Sequence, residues 1–122
     1  MAVMVDELRE YPHARLPVRW WCHMAGDAGF EELHRFAGRL GIPRTRFQGD
    51  HYDLPPRLRE RAVALCADEV RTTELTARMA GPRGDRVRER RARRAASAPR
   101  GDRGDATAPA PRPATPPRTR RA

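Results

Sequence analysis

After Ala80 this chain runs out of material for a core, and that limits how much of it can fold. Across residues 81–122, Val87 is the lone large aliphatic side chain, no aromatic is present and seven prolines interrupt the backbone. The same stretch holds thirteen arginines against four acidic residues, which is the whole net charge of +9. Residues 1–80 balance twelve arginines with twelve acids and carry every Leu, Phe, Trp and Tyr. A stretch without apolar side chains cannot offset its ordering entropy by burial. The expected organisation is a small domain over 1–80 and a disordered Arg/Pro-rich tail over 81–122. Transient helix is expected over 85–96, where Arg, Glu and Ala favour it.

The inventory excludes several chemistries. All 25 basic residues are arginine, so Schiff-base catalysis and a phosphate-loop lysine are impossible. Ser97 is the single serine and lies in the basic stretch, which removes a buried serine nucleophile. No run approaches the roughly 20 apolar residues of a membrane span, so no membrane association is expected. Asp6, Glu7, Arg9 and Glu10 break the N-terminal apolar run, so no export signal is read and a cytoplasmic location is expected. Cys22 and Cys66 lack zinc-ribbon spacing and read as reduced, buried thiols.

Periodicity gives the elements. Ala2–Val5 is a short apolar run stopped by Asp6 and reads as a strand. Val18–Met24 alternates, with Val18, Trp20, Cys22 and Met24 on one face and Arg19, Trp21 and His23 on the other, a second strand. Between them, residues 7–17 read as a loop. Phe30, Leu33, Phe36 and Leu40 fall at helical spacing, with Asp27 a candidate cap and Gly41 and Pro43 as stop signals. Thr45–Phe47 reads as a third short strand ahead of a polar run, Gln48 to Asp53. Pro55 and Pro56 suit the first turn of a second helix capped by Asp53. Glu69–Arg71 reads as a fourth strand, and Thr72 or Thr73 caps a last helix through Met79. This alternation predicts an α/β fold: a small single domain with a largely parallel sheet of 3–4 short strands and about three helices.

In open parallel sheets, ligands sit beyond the carboxyl ends of the strands. That rule selects Asp6, then His23 with Asp27, then Asp50, His51 and Asp53. Imidazoles and carboxylates meeting there can hold a divalent metal through N/O donors; without a metal, a histidine oriented by an aspartate can serve as general base. The candidate catalytic residues are His23, His51 and Asp53, with Asp6 added for a metal site. Each also has a quieter role: Asp6 ends a strand, Asp27 and Asp53 start helices, and His51 bonds a loop carbonyl. His34 lies one position off the apolar stripe of its helix.

The tail repeats Pro-Arg-Gly-Asp-Arg at 82–86 and 99–103, which reads as low-complexity drift. Its arginines, among them Arg88, Arg90, Arg91, Arg93 and Arg94, suit nonspecific contact with nucleic-acid phosphates. With no aromatic to stack on bases, sequence-specific recognition is not expected.

Trp21-Cys22-His23-Met24, Glu32-Leu33-His34-Arg35-Phe36-Ala37, Leu40-Gly41, Phe47 and His51-Tyr52-Asp53 together resemble the bacterial and phage family called domain of unknown function 4031. The agreement continues through Arg59, Ala62 and Glu74-Leu75 and covers roughly residues 1–80. The resemblance implies a small domain without an assigned activity and points to Trp21, His23, His34, His51, Tyr52 and Asp53. It raises His34 to a second-tier candidate beside Trp21, Tyr52, Asp27 and Asp50. Family members usually place Gly-Ala after the second helix, where this chain has Cys66-Ala67.

Three readings follow. The first is a metal-dependent hydrolase using His23, His51 and Asp53 on phosphoester or nucleotide substrates, with Arg44 and Arg46 flanking the phosphate. The second is a non-catalytic binding module whose basic tail contacts nucleic acid. The third makes the His-Tyr-Asp triplet a hydrogen-bonded support for a loop.

Overall fold

A computed structural model describes residues 2–12 and 19–98. His13, the expected strand start at Val18 and the second Pro-Arg-Gly-Asp-Arg copy lie outside these residues. The domain is α/β. The strands are β1 (Val3–Val5), β2 (Arg9–Glu10), β3 (Trp20–Gly26), β4 (Tyr52–Leu54) and β5 (Asp68–Glu69). The helices are α1 (Phe30–Arg39), α2 (Pro56–Ala64), α3 (Thr72–Arg78) and α4 (Pro82–Ala96). No helix among the described residues is long and apolar enough to cross a membrane.

The sheet is mixed, not largely parallel. β3 pairs antiparallel with β1, β2 and β4, and only β1 and β5 run parallel. The segment between β1 and β3 contains no helix among its described residues, whereas a parallel neighbour needs a crossover, usually helical. Met24 sits between Val5 of β1 and Tyr52 of β4, which makes β3 the central strand at that point.

Strand alternation divides the side chains between two faces. Val3, Val5, Cys22, Met24, Tyr52 and Leu54 pack with Leu33, Phe36, Ala37 and Leu40 from the α1 region and Ala62 from α2. Met4 and Ala25 face the other way and meet Leu75 and Met79 around α3. Asp6, His23 and Asp53 belong by alternation to this second face, where the start of α3 reaches Asp6.

Three local expectations differ from the structure. Thr45–Phe47 is no strand; Arg44–Arg46 forms a 3-10 turn, and the strand lies at Tyr52–Leu54 inside the run that reads as polar. Its burial alternates, with Asp53 between two buried neighbours. Asp53 therefore caps nothing, and Pro55 is the N-cap of α2. Asp27 does not cap α1, whose N-cap is Gly29; its carboxylate accepts the Ala2 N–H at 2.8 Å and an Arg78 bond at 3.3 Å.

Of the stretch expected to be disordered from 81 onward, residues 99–122 lie outside the described residues. Where only transient helix over 85–96 was expected, Pro82–Ala96 form an α-helix. Polar and steric anchors hold it, not apolar burial. A side chain at Gly84 would overlap the Met79 carbonyl, so only glycine lets α4 approach the end of α3. Arg88 donates from Nη1 to the carbonyls of Ala77 and Met79, each at 2.9 Å.

Both core helices end in the same way. Gly41 has φ +79, donating to Gly38 O while Ile42 donates to Ala37 O. At α2, Cys66 takes the equivalent place with φ 76, donating to Val63 O while Ala67 donates to Ala62 O. These are paired Schellman bonds around a left-handed residue. Cys66 is exposed, contrary to the expected core position, so its side chain gains little from packing while its backbone carries the left-handed penalty. Cys66→Gly should therefore stabilise the domain by about 1 kcal/mol. Thermal unfolding should show a midpoint roughly 4–8 °C higher; an unchanged or lower midpoint contradicts the strain argument.

Candidate metal centre

Asp6 anchors the site. It is 1 % exposed, and its carboxylate accepts three bonds: the His23 backbone N–H at 2.6 Å, the His23 ring at Nδ1 at 2.8 Å and the Thr72 hydroxyl at 2.8 Å. Its own N–H donates to His23 O, and its carbonyl accepts from Arg59 Nε at 2.8 Å. Burial alone would raise its pKa, but the bonds from His23 and Thr72 outweigh that and hold the carboxyl below its ordinary value. For the neighbouring Cys22 thiol, Arg59 offsets burial only in part. Burial, with Asp6 nearby, pushes it up to about 12, which makes it an inert core thiol.

The His23 ring thus has Nδ1 committed to a buried carboxylate, leaving Nε2 for a ligand. Antiparallel pairing sets His23 directly opposite Asp53. His51, just before β4, repeats the arrangement: Nδ1 lies 2.8 Å from Asp50 Oδ1, and Nε2 lies 3.2 Å from Asp53 Oδ1. The two imidazoles meet edge to face with centroids 5.1 Å apart. Burial would lower the pKa of His51, but Asp53 and Asp50 outweigh it and raise the value. For Asp50, burial is likewise overcome, by His51 and Arg83, so its carboxyl is held low. Arg83 of α4 reaches Asp50 through Nε at 3.2 Å and Nη2 at 3.0 Å.

One ligand atom from each of His23, His51 and Asp53 falls within 4.8 Å of the others. Two imidazole nitrogens and a carboxylate oxygen form the donor set of catalytic zinc and of other open divalent sites, which keep a position for water or substrate. A carboxylate on the far nitrogen of each ligating histidine is the usual outer arrangement of such centres. Asp6 and Asp50 occupy those two positions, so Asp6 supports the site from behind and is not itself among the three converging ligands.

The remaining candidates divide. Trp21 lines a cleft of about 290 Å³ that Asp53, Arg46 and Leu58 also border. His34 and Tyr52 lie apart from the metal centre: Tyr52 is fully buried, its hydroxyl 2.7 Å from His34 Nδ1, and Phe47 packs against both rings. Asp27 sits beside Ala2, away from the cluster. Arg44 pairs with Glu31 at 3.7 Å. Three residues that complete the site escaped the sequence reading. Thr72 and Arg59 hold Asp6, and Arg83 holds Asp50; Arg83 lay in the stretch expected to be disordered.

Residues 3–81 match the family model for proteins of unknown function designated DUF4031. The chain belongs to that family. Comparison with curated proteins and with solved structures gave no match.

Proposed function

We propose that this domain binds one divalent transition metal through His23, His51 and Asp53 and uses it to hydrolyse phosphoesters. One observation carries the reading: both histidines have a carboxylate on Nδ1, and one ligand atom from each comes together with one from Asp53, His51 through Nε2. A structural cluster needs no such matched pair of outer acids; a metal centre does, because they set the tautomer and the ring orientation. The metal would supply a water of lowered pKa and charge stabilisation for a phosphoryl oxygen. The chain itself would orient the two rings through Asp6 and Asp50. Arg46, which lines the adjoining cleft with Asp53, would meet the phosphate, whereas Arg44 pairs with Glu31. The alternative, a non-catalytic binding module, is favoured by the exposed Trp20 and by the exposed arginines of α4, and the arginines also suit an enzyme of nucleic acids.

The test is hydrolysis of bis(p-nitrophenyl) phosphate and p-nitrophenyl nucleotide esters by metal-free protein reconstituted with Zn²⁺ or Mn²⁺. Turnover should require added metal and vanish in Asp53→Ala. A metal-loaded wild type that turns over none of these esters overturns the hydrolase reading.

A further inference from the structure

We propose that α4 is a track for a polynucleotide backbone leading to the metal centre, so that the substrate is a nucleic-acid strand. This rests on the metal-centre reading above. Arg83, in the first turn of α4, bonds Asp50 beside His51 and so marks the face of the helix that looks toward the site. At 3.6 residues per turn, Arg86, Arg90, Arg91, Arg93 and Arg94 fall within about 80° of that direction. All five are exposed, and no ion pair engages them among the described residues. Asp85 and Glu89, the two acids of the helix, lie off this stripe. Arg88 is also off it and is consumed in holding α4 to α3, with Asp85 and the Ala77 and Met79 carbonyls as acceptors.

The fifteen residues of α4 extend about 22 Å, and successive arginines at four-residue spacing advance by about 6 Å. A single phosphate or mononucleotide would engage one end of such a stripe. A polyanion with regularly spaced charges engages all of it, and arginine forks suit phosphate oxygens. The metal centre lies at the Arg83 end, so a strand held along the stripe presents one phosphodiester to the metal.

The experiment uses the full chain in metal-free buffer with a fluorescein-labelled single-stranded oligonucleotide and its duplex, followed by anisotropy across a range of NaCl concentrations. The variant carries Arg86→Gln, Arg90→Gln, Arg93→Gln and Arg94→Gln. A control removes the same charge elsewhere, through Arg35→Gln, Arg39→Gln, Arg57→Gln and Arg61→Gln. The stripe variant should bind at least about tenfold more weakly, with the slope of log affinity against log salt shallower by about 3. The control should stay near wild type. Equal losses in both variants, or none in the stripe variant, overturn the proposal. So does a stripe variant that loses binding only to phosphatidylserine vesicles, which would make α4 a lipid contact. Zinc titration of the stripe variant separates the two readings. Wild-type zinc affinity with unaltered oligonucleotide binding defeats the track alone, whereas a wild type that takes up no zinc defeats the metal centre on which it rests.

Discussion

Asp53→Ala should lower zinc affinity by at least about a hundredfold, roughly 2.7 kcal/mol, while leaving the metal-free domain nearly as stable as wild type. Loss of an outer partner alone costs 10–100-fold in metal affinity, so a direct ligand should sit at or beyond the upper end. The stability half of the expectation follows from exposure. The Asp53 carboxylate is 39 % exposed, and its one ion-pair partner among the described residues is His51 at 3.2 Å. An ion pair so open to water contributes at most about 1 kcal/mol. Isothermal titration with Zn²⁺ and thermal unfolding with chelator present measure the two quantities. If the cluster were only a support for its loop, the pattern would reverse, with a marked fall in melting temperature and no zinc affinity to lose.

Asp6 should behave in the opposite sense. Asp6→Ala removes the acceptor for two donors of His23 and for the Thr72 hydroxyl in a site closed to solvent. Orphaning one buried polar group costs about 1–3 kcal/mol, and breaking a buried ionic pair about 3–5. A loss of about 3–5 kcal/mol is expected, a large part of a small domain's 5–15, read by denaturant unfolding. Asp6→Asn keeps the shape and tests the function separately. Its carbonyl oxygen can still accept the His23 N–H, but its amide then faces His23 Nδ1 and turns that nitrogen into an acceptor. The ring proton moves to Nε2, the position the metal needs. Asp6→Asn should therefore fold and bind zinc about 10–100-fold more weakly. A folded Asp6→Asn with wild-type affinity would show that His23 is not a ligand.

The convergence of His23, His51, Asp53 and Asp6 was legible in the sequence, but for a reason the structure replaces. Residues at the ends of parallel strands were expected to meet at one rim. They meet because antiparallel pairing puts His23 opposite Asp53 and because Asp6 continues the β1–β3 register one residue past Val5, opposite His23. Periodicity shows which face a residue takes and is silent on strand direction, so the mixed sheet was not readable from spacing. Alternation located β3, and the Leu33/Phe36/Leu40 stripe located α1 with its glycine stop. The three-residue β4 was hidden because its centre is Asp53, which makes the segment look polar. α4 was read only as transient helix over 85–96, and its anchoring to the domain was missed on other grounds. Counting apolar side chains measures only one source of order, and this helix is held by the Gly84 approach, the Arg88 bonds and the Arg83–Asp50 pair. At Cys66 the backbone takes the left-handed conformation that favours glycine, and cysteine carries the strain.

The most direct measurement is anomalous diffraction from crystals of the full chain grown with Zn²⁺, recorded on both sides of the zinc edge. One peak should lie about 2.0–2.2 Å from a ring nitrogen of His23, a ring nitrogen of His51 and an oxygen of Asp53, with Asp6 and Asp50 still bonded behind the rings. A structure in which those three groups carry no metal while zinc binds elsewhere or not at all contradicts the account.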